Sequence, residues 1–307
     1  MVTHVGILPI DGFALMSYAS VVEPLRAANL MAEREVYRLV HFGAAASSGE
    51  VVPPSDVPIG SRSDVDLLFV IAGGDPAAFE DAETFAWLGR LSRAGVTLAG
   101  VSGGPVILAR AGLMEGRRMT VHWEHADALA ELDPALLLER SLYVVDRDRI
   151  TCAGGTAPLD LMHTLIARDH GAAFARRVSD WFLHTDVRPE GGPQRAGLVA
   201  RVGTTSQPVL DAVAAMESHV ADPLSLSQLA LIAGVSVRQL SRAFQEKLRT
   251  SPISYYRQLR LGVADGLLRN APLPITQIAL ATGFASSAHF AREYSRAFGV
   301  APSARRR

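Results

Sequence analysis

The sequence predicts an α/β chain: a doubly wound, mostly parallel sheet followed by an all-α domain with two helix-turn-helix motifs. Three observations carry the prediction. Short apolar, β-branched segments alternate with amphipathic ones over the first two thirds, a βαβ rhythm that calls for helices on both faces of a parallel sheet. The last third reads as helix and nearly repeats itself. Charge divides at the same place: from Thr205 onward 12 Lys and Arg face 6 Asp and Glu, a net of +6, whereas the first 204 residues carry 18 against 25, a net of −7.

Each element follows in order. HVGILPI (4–10), YRLVHFGA (37–44), DLLFVIAGG (66–74) and VTLAGV (96–101) are short apolar runs and read as buried strands. Between them, LMSYASVVEPLRAANLMAE and PAAFEDAETFAWLGRLSRAG carry helical spacing. GVSGG (100–104) then satisfies G-x-S-x-G, the elbow in which a serine sits on a tight strand-to-helix turn, and PVILARAG continues as a helix with Pro105 in its first turn. LYVVDRDRITCAGG reads as a hairpin turning at Asp146–Arg149, and the stretch 156–184 supplies two closing helices. In such a sheet a pocket lies outside the carboxyl ends of the strands, where both Gly73–Gly74 and the Ser102 elbow fall. After His184 the periodicity fails and Pro and Gly recur, so domain boundaries are expected at 1–185, a linker over 186–207, and 208–307.

Beyond the linker, Leu224–Pro252 aligns with Leu273–Pro302. Ala230 matches Ala279 and Gly234 matches Gly283 at a spacing of 49; after one inserted residue Leu240 matches Phe290, Arg242 matches Arg292 and Phe244 matches Tyr294 at a spacing of 50. Each copy is a helix, a glycine turn and a second helix. Two such motifs on a basic domain suit recognition helices that enter successive major grooves, roughly 34 Å apart. Double-stranded DNA is therefore the expected partner. Arg238, Gln239 and Arg242 on the first recognition helix, and Ser286, Ser287, His289 and Arg292 on the second, are the expected base and phosphate contacts. Arg305–Arg307 would add phosphate attraction. Leu240, Phe244, Tyr294 and Phe298 form the apolar stripe and are expected in the core.

Composition bounds the remaining chemistry. With 49% hydrophobic and 20% charged residues the chain is globular, and its apolar runs stop well short of the roughly 20 residues a membrane-spanning helix needs. A cytoplasmic protein without membrane contact is expected. The single cysteine, Cys152, rules out an internal disulfide and multi-cysteine metal sites. His122, Glu124 and His125 have a spacing that could hold a metal, but lacking a third ligand nearby they read as pocket lining, and neither metal nor cofactor is expected. Glu23 in VVEPLR is the carboxylate expected to touch a ligand.

Two resemblances cover nearly the whole chain. AGVSVRQLSRAFQEKL, SPISYYRQLRLGVADGLL and PITQIALATGFASSAHFAREYSRAFGVAPSARRR resemble the AraC/XylS DNA-binding domain. VIAGGD (70–75), the elbow and AGLMEGRRMTVHW (111–123) are similar to the ThiJ/PfpI, class I glutamine amidotransferase-like domain, a flavodoxin-like fold. With MSYASVVEPLRAANL and GGTAPLDLMHTLIARDHG, the combination resembles the GlxA-type transcriptional regulators. The resemblance implies a small-molecule effector, an amino acid or a quaternary amine, sensed by the first domain at Glu23, Gly73, Gly74, Ser102, Gly103, Gly104 and His122, and a homodimer formed through that domain. It also shows what is missing. Catalytic ThiJ/PfpI members carry a cysteine at the elbow, often with a histidine after it, where this chain has Ser102 and Gly103; their carboxylate would fall at Met16–Ser17, two turns before Glu23. A serine needs a positioned base. The expectation is a sensor and not an enzyme; the alternative is a serine hydrolase or amidotransferase-like enzyme using Ser102.

Overall fold

The computed structural model describes residues 2–43, 46–49, 51–61, 64–270 and 273–305. It divides into two compact units, Met1–Gln194 and Arg195–Arg307.

The first unit is built on a six-stranded sheet in the order β2-β1-β3-β4-β8-β7. Its strands are β1 (Thr3–Pro9), β2 (Tyr37–His41), β3 (Leu67–Ala72), β4 (Thr97–Ser102), β7 (Tyr143–Asp146) and β8 (Arg149–Cys152). All neighbours run parallel except the β7–β8 hairpin, whose register pairs Asp146 with Arg149. Because side chains alternate across a strand, Val5, Ile7, Phe69, Ile71, Ala99 and Val101 face one core layer, and Leu8, Leu68, Val70, Ala72 and Leu98 face the other. On the first face lie residues from α1 (Leu15–Ala32), α5 (Ala157–His170) and α6 (Ala172–Trp181). On the second lie residues from α2 (Ala82–Arg93), α3 (Gly104–Arg110) and α4 (Trp123–Leu132). A two-stranded parallel pair, β5 (Arg118–Met119) with β6 (Leu137–Leu138), completes the unit.

The unit ends later than the sequence suggests. Asp160 of α5 is fully buried, and a buried carboxylate requires partners. It finds them in the stretch expected as linker: His184 Nε2 lies 2.9 Å away, and Arg188 donates its backbone N–H at 2.8 Å and Nη2 at 2.6 Å. Farther on, the Gln194 amide reaches Ser141 O at 2.7 Å and Val121 O at 3.0 Å. Residues to Gln194 thus belong to the α/β unit. The rest of the expected linker is largely taken up by the helical unit, through α7 (Leu198–Val202) and its Arg201–Glu217 pair at 2.6 Å.

The second unit continues with α8 (Gln207–Ser218), then α9 (Leu226–Ile232) and α10 (Val237–Leu248) as the first motif, α11 (Pro252–Asn270) as connector, α12 (Ile275–Ala281) and α13 (Ser287–Phe298) as the second motif, and α14 (Pro302–Arg305). Leu240, Phe244, Phe290 and Tyr294 are fully buried. Phe298 is not: it is 39% exposed at the end of α13, with only one face against the Tyr294 ring, 4.6 Å between centroids. No helix among the described residues is long and apolar enough to cross a membrane.

Candidate functional site

Ser102 ends β4 with φ +61, the left-handed conformation that a non-glycine residue adopts only under constraint. The constraint is visible around it. A Cβ on Gly104 would stand 2.0 Å from the Val70 carbonyl oxygen, so only glycine lets the start of α3 press against β3. On the other side of Ser102, a Cβ on Gly154 would meet the Ser102 Cβ at 2.6 Å and the Ser17 hydroxyl at 2.9 Å. The elbow is therefore a packed corner, with Ser102 6% exposed.

The structure gathers most of the expected ligand residues there. Gly73 and Gly74 follow β3, and Gly73 packs against the Gly12–Ala14 backbone. Gly103 donates its N–H to Ala72 O at 3.0 Å, and His122 donates its N–H to Ser102 O at 3.4 Å. Glu23 is not gathered. Its carboxylate turns to Arg26 in an exposed pair at 2.7 Å, because α1 directs Ser17, Ser20, Val21 and Pro24 inward instead. The α1 side chain at the elbow is Ser17, which is fully buried and accepts the Gly155 N–H at 2.8 Å. The sequence carried one signal for it: Met16–Ser17 is where a catalytic relative's carboxylate would fall.

Two histidines close the corner from α4. His122 caps that helix: its Nδ1 accepts the Glu124 N–H at 3.3 Å, which places the proton of the neutral ring on Nε2. Burial holds His122 below its ordinary value, with Glu124 opposing. His125, 5.9 Å away between ring centroids, is pushed down to about 4 by burial and by His122, and its Nδ1 is buried without a partner. Both rings are neutral at pH 7. Among the described residues no hydrogen bond to Ser102 Oγ is present. Cys152, beside the elbow on β8, is buried and its thiol is raised to about 12, which leaves it protonated and unreactive.

The second expected site lies on α10 and α13. Ser236 opens α10 with a capping box: Gln239 N–H meets Ser236 Oγ at 3.3 Å and Gln239 Oε1 accepts from Ser236 N–H at 2.9 Å. Gln239 thus spends its carbonyl on the helix start and keeps its NH₂ outward. Arg238 is exposed without a partner among the described residues, and Arg242 forms an exposed pair with Glu246 at 2.6 Å. On α13, Ser286 is the N-cap and accepts the His289 N–H at 3.2 Å, Ser287 is exposed in the first turn, and Arg292 is exposed and unpaired among the described residues. All seven expected contacts are solvent-facing, opposite the buried Leu240, Phe244, Phe290 and Tyr294. Arg305 is exposed too, but its guanidinium is paired with the buried Asp265 at 2.8 Å, and Arg306 and Arg307 lie outside the described residues.

Comparison with known proteins agrees with both halves. Residues 11–168 match the DJ-1/PfpI family, and residues 229–307 match a helix-turn-helix domain. The chain is 44% identical over 312 residues to the HTH-type transcriptional regulator GlxA of Rhizobium meliloti, covering 100% of this chain and 96% of that protein. It is 39% identical over 302 residues to the HTH-type transcriptional regulator CdhR of Pseudomonas aeruginosa, covering 96% and 89%. A ThiJ/PfpI family protein from Pseudomonas syringae superimposes with a TM-score of 0.54 over 76% of this chain and 91% of that one at 22% identity, a likeness of fold. An elbow-bearing α/β unit joined to paired helix-turn-helix motifs defines a DNA-binding transcriptional regulator. The chain belongs to the family of HTH-type transcriptional regulators that includes GlxA and CdhR, with a DJ-1/PfpI unit and an AraC-type DNA-binding unit.

Proposed function

We propose that the α/β unit binds a small-molecule effector in the elbow crevice without transforming it, and that DNA binding by the helical unit answers to that occupancy. The observation that carries this reading is the state of the nucleophile position. Ser102 is held at φ +61 with no hydrogen bond to its hydroxyl among the described residues, and the neighbouring His122 has its Nδ1 tied to a backbone N–H. A neutral imidazole locked that way donates from Nε2 and does not abstract a proton. The Gly103 N–H is likewise spent on Ala72 O, which removes an amide that an oxyanion hole would use. What remains is a recognition set: one hydroxyl and one imidazole N–H, suited to the acceptor oxygens of an amino acid or of a quaternary amine bearing a carboxylate. Trp123, next to His122 and 41% exposed, offers an aromatic ring to a cationic end.

The crevice walls also anchor the chain's exit from this unit. Arg188 reaches Thr156 Oγ1 at 3.0 Å beside Gly154–Gly155, and Gln194 reaches Val121 O next to His122. An effector that shifts either wall acts directly on the segment leading to the helical unit.

The test begins with melting curves of the full chain against amino acids and quaternary amines, since a bound ligand raises stability by RT ln(1 + [L]/Kd). Ser102→Ala should then keep the turn, change affinity by about 0.5–1.5 kcal/mol, the value of one hydrogen bond, and retain the response in a reporter strain. Effector consumed by wild type but not by Ser102→Ala, with the response lost, would establish the serine-enzyme reading instead.

A further inference from the structure

We propose that Tyr256 and Arg260 of α11 are positioning residues that fix the separation of the two recognition helices, and with it the base-pair spacing at which the protein reads DNA. The inference rests on the assignment of α10 and α13 as the two reading helices.

Tyr256 and Arg260 stand four residues apart, one helical turn, and so share a face of the connector. Each grips a loop of a different motif. The Tyr256 hydroxyl, on a side chain 3% exposed, donates to His219 O and accepts the Leu224 N–H at 3.3 Å, both in the loop that leads from α8 into the first motif. Arg260 donates from Nε to Thr282 O at 2.7 Å and from Nη2 to Gly283 O at 2.8 Å, in the turn of the second motif. Its guanidinium also lies 4.3 Å from the centroid of the Phe284 ring. Phe284 carries the contact onward to the reading helix: its ring stands edge-on to His289 and 5.3 Å from Phe290.

The two gripped loops touch each other. A Cβ on Gly283, which has φ +71, would stand 2.5 Å from Pro223 Cγ and 2.7 Å from Val220 O. The matching glycine of the first motif, Gly234, turns with φ +67 and has open space around its Cα. That contrast separates two roles. The position 49 residues before Arg260 is Asp211, which is engaged with Gln207, so the first motif carries no counterpart of Arg260 at that place. A helix-turn-helix of this kind therefore needs no Arg260 to form. What the pair adds is a tie from one connector face to both motifs, with charge-assisted bonds at one end and close backbone packing between the loops. Reading two grooves at once demands such a tie, because recognition helices fit successive major grooves only at a set separation.

The test uses the full chain and a duplex that wild type selects from a random library. Inserting two base pairs between the two contacted grooves should weaken wild-type binding. Arg260→Met should bind the selected duplex about tenfold more weakly, the scale of a lost charge-assisted bond, yet lose the insertion penalty and bind a duplex with one contacted groove as wild type does. A second readout needs no DNA: spin labels at Gln245→Cys and Arg296→Cys, both exposed, should give a narrow distance distribution that Arg260→Met broadens. The one native cysteine is buried and stays unlabelled. If Arg260→Met unfolds the unit, Tyr256→Phe, which removes only the hydroxyl, carries both readouts in the same direction. A preserved insertion penalty with an unchanged distance distribution would overturn the proposal, as would an equal loss on the one-groove duplex in a chain that melts like wild type. Wild type contacting only one groove would instead refute the two-helix assignment, while the label distances still decide the role of the clamp.

Discussion

His125 and Asp160 set opposite electrostatic problems inside the α/β unit. Burial and His122 depress His125 from 6.5 to about 4, so between those values the unfolded chain binds a proton that the folded one refuses. Its contribution is neutral above pH 6.5 and turns into a penalty as pH falls, approaching about 3 kcal/mol near pH 4 at 1.36 kcal/mol per unit. Melting temperature should therefore decline between pH 7 and pH 4, and His125→Gln should flatten that decline; identical profiles would show that other groups set it. Asp160 has the reverse logic, a buried anion whose loss strands its partners His184 and Arg188. Asp160→Ala should destabilise the unit by about 3 kcal/mol, the low end for a buried pair because Arg188 is partly solvated, as read from thermal unfolding. Neither role was legible in sequence. The Ser102 elbow was, because five adjacent residues define it. Ser17 meets Gly155 across 138 residues, and such a contact leaves no local pattern. The partner of Glu23 was hidden in the same way: a carboxylate on a helix faces wherever the helix period turns it, and here that is toward Arg26.

Elements that repeat a strong period were the legible ones. β3 and β4 are apolar throughout because helices cover both faces of the sheet, and the paired helix-turn-helix motifs announce themselves by alignment. Residues 113–141 gave no signal of comparable strength: β5 and β6 are two residues each, too short for alternation to register, yet they and α4 place His122. The recognition helices were legible as faces, since four buried aromatics and leucines at helical spacing fix which side chains remain outside. Within them, the caps were not read: Gln239 and Ser286 hold helix starts as well as facing solvent. The arginines hold no helix start: Arg292 is exposed and unpaired among the described residues, and Arg242 makes only an exposed pair with Glu246. Arg242→Ala and Arg292→Ala should each weaken specific binding by about 1–3 kcal/mol if they read bases, with the melting temperature unchanged. Intact operator binding by both variants in a gel-shift titration would remove them from the interface.

At the scale of the molecule, the division between acidic and basic halves is also the division between folding units, but the boundary lies where packing ends and not where periodicity fails. Pro and Gly between 185 and 208 suggested a free linker; Asp160 and the Val121–Ser141 carbonyls hold its first part, and Glu217 holds Arg201 in its second. A helical fragment should therefore begin at Arg195. It retains α7, whose Leu198 and Val202 pack on the core of Val209, Val213, Met216 and Phe244, and it gains Arg195 and Arg201 over a fragment cut at Pro208. Residues 195–307 should fold, melt at a higher temperature than 208–307, and bind the operator with an affinity that falls steeply as salt rises, since each phosphate contact releases a counterion. The full chain should bind more tightly than the fragment if self-association through the α/β unit doubles the contacts. Equal melting of the two fragments would place α7 outside the functional unit, and salt-independent binding would mean that the basic balance of this half is solvated surface and not a DNA-facing charge.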